Sequence, residues 1–355
     1  MYPEDAGQWP SAVVGRERMV PVTQGDVARR AGVSPRTVSN VVNEFPLVSE
    51  EVRQRVQRAI EELDYQPNVV ARNLRRGRSG MLGLAVPELS LPYFSELAEF
   101  VIAEARRRAY GVVIEQTDGD PARERQLLKQ NDRSHLFDGL ILSPLGLTLA
   151  QIQQNAGSIP VVLLGEHIAG GPQDHVGIDN VAAARDATAH LIELGRRRIA
   201  AIGHQGRPSG ETGQLRSAGY RQALRAARLP VHKSLVVPTA SFHRGSGASA
   251  MERLLRLPSP PDAVFCYNDL LAIGAMRTIL SSGLRIPEDI AVVGFDDIED
   301  ACYTFPSLTT ISPDKEDIAR VAVARLLDRL SGDEGIPASR SVEYRLVVRE
   351  STAGR

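Results

Sequence analysis

From Met81 onward, short apolar runs alternate with amphipathic stretches of helical period, and no other feature narrows the fold so far. Leu82 to Val86, Gly111 to Glu115 and Gly139 to Leu142 read as strands, with helices over 94–109 and 121–133 between them. A strand that rejoins its neighbour in the same direction needs a crossover, usually a helix, so the pattern specifies parallel sheets with helices on both faces. The cycle resumes after Asn180, with strands at Ile199 to Ile202, Leu235 to Val237, Ala263 to Cys266 and Ile290 to Val293. This is about twice what one doubly wound sheet requires. Two α/β lobes facing a cleft are therefore expected, although no internal repeat is clear enough to prove duplication.

The residues before Met81 follow different rules. Thr23 with Asp26 three residues later forms a capping signal, and Val27, Ala28 and Ala31 share one face of the helix it opens. Gly32 stops that helix. Ser34 as N-cap and Pro35 at the first helical position start a second, with Val38, Val41 and Val42 as its buried stripe. A third begins at Ser49, carries Glu50 and Glu51 at its positive end and buries Val52, Val56, Ala59, Ile60 and Leu63. Two short helices joined by a tight turn suit a reader of the DNA major groove, the first braced on the backbone and the second presenting its N-terminal residues to base edges. Those residues are Pro35, Arg36 and Asn40; arginine matches guanine O6 and N7, and asparagine can pair with adenine. Thr23, Ser34, Thr37, Ser39, Asn43 and Ser49 are short polar groups near helix starts, suited to phosphates, and each taken singly is equally well a helix cap.

Net charge agrees with a local nucleic-acid interface. The whole chain carries a formal charge of -1, which excludes a general polycation, yet Pro21 to Arg78 holds ten arginines and no lysine against seven acids. The segment from Tyr65 to Arg78 has helical spacing but is short, so it is expected to fold only with support, which DNA can supply. Leu74 would then be an apolar wedge in the minor groove, with Asn68, Arg72, Arg75, Arg76 and Arg78 near the backbone. In another setting the segment would pass for a charged linker.

The run Val22 to Asn43, with Pro67-Asn68 and Ala71-Arg72-Asn73-Leu74, resembles the lactose-repressor and galactose-repressor family. The likeness continues through Gly83 to Pro87, Thr117 to Asp120, Asp138 to Leu142, Asn268-Asp269, Val292 to Asp297, Pro306 to Thr310 and Leu346 to Ser351, and leaves out only residues 1–20. It implies an all-α helix-turn-helix headpiece over 21–66, a hinge helix over 67–79, and a two-lobed periplasmic-binding-protein-like effector domain over 80–355. The first lobe would hold about 80–177 plus 311–332, and the second about 178–310 plus 333–351. It also implies a homodimer on a near-palindromic operator, repression controlled by a small effector, and Leu74 wedged at the operator centre.

For the effector, strand ends and helix starts single out Tyr93, Phe94, Arg216, Phe242, Asn268 and Asp296, and the resemblance adds Ser90 and Thr212. Aspartate and asparagine can each bridge sugar hydroxyls and arginine can clamp oxygens, so a sugar or sugar derivative is favoured. The family's usual polar residue before Pro92 is Leu91 here, which leaves the pocket's size open. Taken one by one, Phe94 and Phe242 could equally be core and Asp296 a helix cap. Two rivals compete. An enzyme is suggested by Gly245-Ser-Gly247-Ala-Ser-Ala250, which fits G-x-G-x-x-A but does not follow a strand immediately, and is read as a helix start; no HExxH, GxSxG or P-loop accompanies it. A transport-type sugar-binding protein would need export and would give residues 23–76 no purpose.

Cys266 and Cys302 are the only cysteines and have no paired spacing, so neither a disulfide framework, a metal site nor a cofactor is expected. No apolar run reaches the roughly 18 residues of a membrane span, and no secretory leader opens the chain, so a cytoplasmic protein is expected. Residues 1–20 show no apolar period and read as a disordered extension, with Met19 a candidate natural start.

Overall fold

The first helix begins where Thr23 and Asp26 satisfy each other's backbone. Asp26 N donates to the Thr23 hydroxyl at 3.3 Å and Thr23 N donates to the Asp26 carboxylate at 2.9 Å, a complete capping box for the helix Gln24–Ala31. The helix ends at Gly32, whose φ of 66° is in the left-handed region that glycine adopts without strain. The computed structural model describes residues 22–42, 45–65, 78–129, 136–155, 159–165, 173–205 and 211–354. The chain divides into two compact units, Met1–Arg72 and Asn73–Arg355.

In the first unit, the second helix, Pro35–Val42, starts as its sequence signal requires, with Thr37 N donating to the Ser34 hydroxyl at 3.1 Å. Gln24 Nε2 donates to the Pro35 carbonyl at 2.9 Å and fixes the corner between the two helices. The third helix, Glu50–Glu62, closes over them, and Val27, Val38 and Val56 meet with no exposure, flanked by Ala28, Val41 and Ala59. Each buried valine contributes roughly 1.5–3 kcal/mol of transfer free energy, which for so small a unit is most of its core.

In the second unit, twelve strands form two six-stranded sheets. The first contains β1 (Met81–Val86), β2 (Gly111–Gln116), β3 (Gly139–Leu142), β4 (Val161–Leu164), β5 (Asp174–Gly177) and β11 (Ser339–Ser341), in the order β11-β5-β4-β3-β1-β2. The second contains β6 (Ile199–His204), β7 (Val236–Pro238), β8 (Ala263–Cys266), β9 (Ala291–Phe295), β10 (Thr309–Pro313) and β12 (Tyr344–Val347), in the order β12-β10-β9-β8-β6-β7. All neighbours run parallel except β10 and β12. The two lobes thus repeat one topology, with the last two strands completing one sheet each.

That completion moves the expected lobe boundaries. Residues 333–351 were assigned to the second lobe, yet Ser339–Ser341 pairs with β5 in the first sheet. Residues 311–332 were assigned to the first, yet Ile311 to Pro313 belong to β10 in the second. The physical reason is that β11 is an exposed polar edge strand held by backbone pairing, so no apolar pattern marks its side. The chain crosses between lobes after β5, after β10 and between β11 and β12, and the helix Lys315–Leu330 packs on the first lobe.

The run Gly245 to Ala250 lies inside the helix Arg244–Leu255, which packs against the helix Asp269–Ser281. A Cβ at Gly247 would sit 2.1 Å from the Leu271 carbonyl oxygen, and one at Gly274 would sit 1.9 Å from that of Arg244. These glycines let two helix backbones touch. Among the described residues, no helix is long and apolar enough to cross a membrane. Gly274→Ala is expected to destabilise the second unit by at least about 1–3 kcal/mol, because backbone must move to admit one methyl group. Urea unfolding followed in parallel for the two proteins checks this, and an unchanged midpoint would remove the helix-contact account.

Candidate functional site

Parallel strands end together, and their carboxyl ends open toward the helices that follow. Where strand order reverses, at β1/β3 and at β6/β8, the crossovers diverge and leave a crevice. The two crevices face one another across a cavity of about 380 Å³. From the first lobe it takes Glu88 after β1, Tyr93 and Phe94 on the helix Pro92–Arg107, and Asp118 after β2. From the second it takes Thr212 and Arg216 on the helix Glu211–Ala226, Phe242 and His243 after β7, Asn268 after β8, and Asp296 after β9.

Arg216 is 6% exposed and is positioned from three directions. Its Nε donates to Asn180 Oδ1 at 2.8 Å, one terminal nitrogen donates to the Tyr267 carbonyl, and the other lies 3.8 Å from the Asp296 carboxylate. The guanidinium carbon stands 3.5 Å over the Phe295 ring, a contact that suits the flat cation. Asn268 does two jobs. Its Oδ1 accepts from Leu271 N at 2.9 Å as the helix N-cap, and its Nδ2 donates to the Phe242 carbonyl at 3.0 Å, which anchors the loop carrying that aromatic ring. Asp296 and Asp297 have φ values of 110° and 48°, so two consecutive non-glycine residues hold a costly backbone beside the cavity.

Beneath them lies Asp269, fully buried, accepting from the Thr310 hydroxyl at 2.6 Å and from Ile298 N at 3.0 Å. Burial, with Asp296 adding like charge, pushes its carboxyl well above the ordinary aspartate range. Contacts also cross the cleft. His243 Nε2 lies 3.1 Å from Glu88 Oε2, and Glu299 N donates to Glu96 Oε1 at 2.9 Å.

The cavity brings together Tyr93, Phe94, Thr212, Arg216, Phe242, Asn268 and Asp296. Ser90 is not among its lining; it is exposed and its hydroxyl donates to the Glu88 carboxylate, so it sits behind a group that does face the cavity. Glu88, Asp118, Gln205, Glu211 and His243 also line it and were not singled out. Their signal was available in part, since Glu88 follows β1 directly and Asp118 lies within the Thr117 to Asp120 run. Among the described residues, no group of three His, Cys, Asp or Glu is placed to hold a metal ion. Cys266 is buried, which pushes its thiol up and leaves it unreactive, while Cys302 is exposed.

The first unit presents a second surface. On the helix Pro35–Val42, Val38 and Val41 face the core while Pro35 and Arg36 are exposed and Ser39 and Asn40 half-buried on the other side. Ser34 and Thr37 share a hydroxyl–hydroxyl bond of 2.9 Å, and Thr23 is exposed although its hydroxyl is engaged with Asp26. Ser49 is exposed and makes no side-chain cap bond. Asn43, Asn68, Arg72, Leu74 and Arg75 lie outside the described residues.

Comparison with known proteins agrees with both surfaces. The family described as "Bacterial regulatory proteins, lacI family" matches residues 23–68, and the "Periplasmic binding protein-like domain" matches residues 188–352. The chain is 35% identical to the HTH-type transcriptional repressor CytR of Escherichia coli (strain K12), over 93% of this chain and 96% of that protein. It resembles the structure of a transcriptional regulator CelR–cellobiose complex at 35% identity and a TM-score of 0.68, over 93% of this chain and 99% of that one. It also resembles the Lac repressor dimer bound to operator and the anti-inducer ONPF at 30% identity and a TM-score of 0.81, over 94% and 99%.

Asp269 gives the site a measurable pH signature. Below the ordinary aspartate pKa of 3.8, folded and unfolded chains both hold the proton. As pH rises above that value the unfolded chain releases it while the folded chain retains it, so this group's contribution to stability declines with rising pH. Asp269→Asn removes the titration, and the variant is expected to gain stability relative to the wild type as pH is raised. Urea midpoints measured across the acidic and neutral range check the sign, and a constant difference at every pH would show that the carboxyl is ionised normally.

Proposed function

The chain belongs to the lacI family of bacterial regulatory proteins, and on that premise we propose that it is a sequence-specific transcription repressor whose operator affinity is set by a small effector in the cleft. One observation carries this reading: a helix whose outer face offers Pro35, Arg36 and Asn40 occurs in the same chain as a two-lobed cavity of ligand size. Arg36 and Asn40 read bases. Thr23, Ser34, Thr37, Ser39, Asn43 and Ser49 meet phosphates, and the hinge over 67–79 supplies Asn68, Arg72 and Arg75 to the backbone with Leu74 as the minor-groove wedge. The engaged hydroxyls of Thr23 and Ser34 fit a role in which capping and phosphate contact share one group.

The protein acts as a homodimer on a near-palindromic duplex, as the operator-bound Lac repressor dimer supports. In the cleft, Tyr93, Phe94, Thr212, Arg216, Phe242, Asn268 and Asp296 hold the effector, and Ser90 acts through Glu88. A carbohydrate is favoured by the mixture of aromatic faces with amide and carboxylate groups, and by the cellobiose held by CelR. Effector changes how the lobes close, and closure changes whether both hinges of a dimer can engage DNA together. A coupling of about 1–3 kcal/mol suffices for a 5- to 150-fold change in affinity. The cleft carries no chemical step in this reading, and the protein works in the cytoplasm, where its operator is.

Selection of duplexes from a random pool, with and without candidate sugars, tests the proposal. An enriched near-palindrome whose binding weakens steeply with salt and responds to a sugar is expected; the absence of any enriched sequence would refute it. Arg36→Ala is expected to cost about 1–3 kcal/mol and relax preference at one base pair of each half-site, while binding to unrelated duplex changes little. Retained preference at every position, in the same selection, would take Arg36 out of base reading.

A further inference from the structure

The charges facing the cleft restrict the class of molecule it can hold. Among the described lining residues, Arg216 is the one permanent cation, against Glu88, Asp118, Glu211 and Asp296. Its guanidinium is committed to Asn180, the Tyr267 carbonyl and Asp296, with Phe295 covering one face. It is therefore a fixed wall of the cavity, and its charge is already balanced by Asp296. His243 is paired with Glu88 across the lobes.

Helix N-termini are the other common seat for an anion. Here they are occupied by the protein's own acids. The helix Asp269–Ser281 carries Asp269 in its first turn and is capped by Asn268, and the helix Glu211–Ala226 carries Glu211 in its first turn. Those side chains take the place a phosphate or carboxylate would need. The position before Pro92 holds Leu91, whose side chain adds apolar lining without a donor. A phosphate entering this cavity would lose its hydration and meet several carboxylates with no uncommitted cation. Hydroxyl groups would instead find acceptors at Glu88 and Asp118 and flat apolar surfaces at Tyr93, Phe94 and Phe242.

We propose that the effector of this protein is an uncharged polyhydroxylated ring compound, and that the cleft rejects phosphorylated and carboxylated counterparts. This rests on the reading of the cleft as the effector site, and it separates free sugars and nucleosides from sugar phosphates and nucleotides.

The test uses the full chain and its selected operator. A small-molecule extract of the producing bacterium is divided by ion-exchange resins into an anionic, a cationic and an unretained fraction, and each is assayed for a shift in the melting temperature of the protein and in its operator affinity. The unretained fraction is expected to act, and the phosphate ester of its active compound is expected to bind on the order of 100-fold more weakly. Leu91→Arg places a cation on the lining at a half-buried loop position and is expected to narrow that difference by about tenfold or more. Action by the anionic or cationic fraction would overturn the inference while leaving effector control intact. An unchanged preference in Leu91→Arg would show that lining charge does not set selectivity, and would also overturn it. No action by any fraction, with operator binding preserved, would remove effector control itself and the inference with it.

Discussion

Lys315 joins the two lobes at the point where both meet the cleft. It is 9% exposed, and its ammonium donates to the carbonyls of Asp296 and Asp297 at 2.8 and 2.9 Å while pairing with Glu96. The carbonyls belong to the end of β9 in the second lobe, and Glu96 to the helix Pro92–Arg107 of the first, which also accepts from Glu299 N. A buried cation is tolerated only when its partners are complete, and loss of one partner typically costs about 3–5 kcal/mol. The unusual backbone at Asp296 and Asp297 persists because these bonds, with Arg349 paired to Asp297 at 2.7 Å, hold it. The arrangement of the lobes and the placing of a cleft carboxylate are thus the same set of contacts.

This makes the cleft a plausible transmitter in physical terms. A ligand touching Asp296 touches a residue whose own carbonyl is gripped from the opposite lobe, and the chain crosses between lobes three times close to that point. Small changes there are carried by packed elements, because the surrounding core has little free volume in which to absorb them.

Much of this was legible in the sequence. Thr23 with Asp26, Gly32, and Ser34 with Pro35 are local signals whose meaning depends only on nearby backbone, and each appears where the helix ends fall. The strands of both lobes were readable because buried parallel strands are apolar runs set between helices. The common topology of the lobes was not, since backbone pairing demands a pattern and leaves the residues free to diverge. Nor was the return of Ser339–Ser341 to the first sheet, as an exposed Ser-Arg-Ser strand has no apolar face to declare its side. In the cleft, Arg216 was identifiable as a candidate, but its commitment to Asn180, Tyr267 and Asp296 joins residues far apart in the chain and emerges only when the second lobe closes on itself. Ser90 and Glu88 show the same limit at short range: two residues apart, one faces the cavity and the other serves it.

The central claim is that occupancy of the cleft and binding of operator are coupled, and coupling of binding is reciprocal. The most direct measurement is the affinity of the active effector for the full chain, determined by calorimetry with and without saturating operator duplex. The account predicts that operator changes effector affinity by the same factor, about 5- to 150-fold, by which effector changes operator affinity. An effector affinity identical in the two conditions would contradict it.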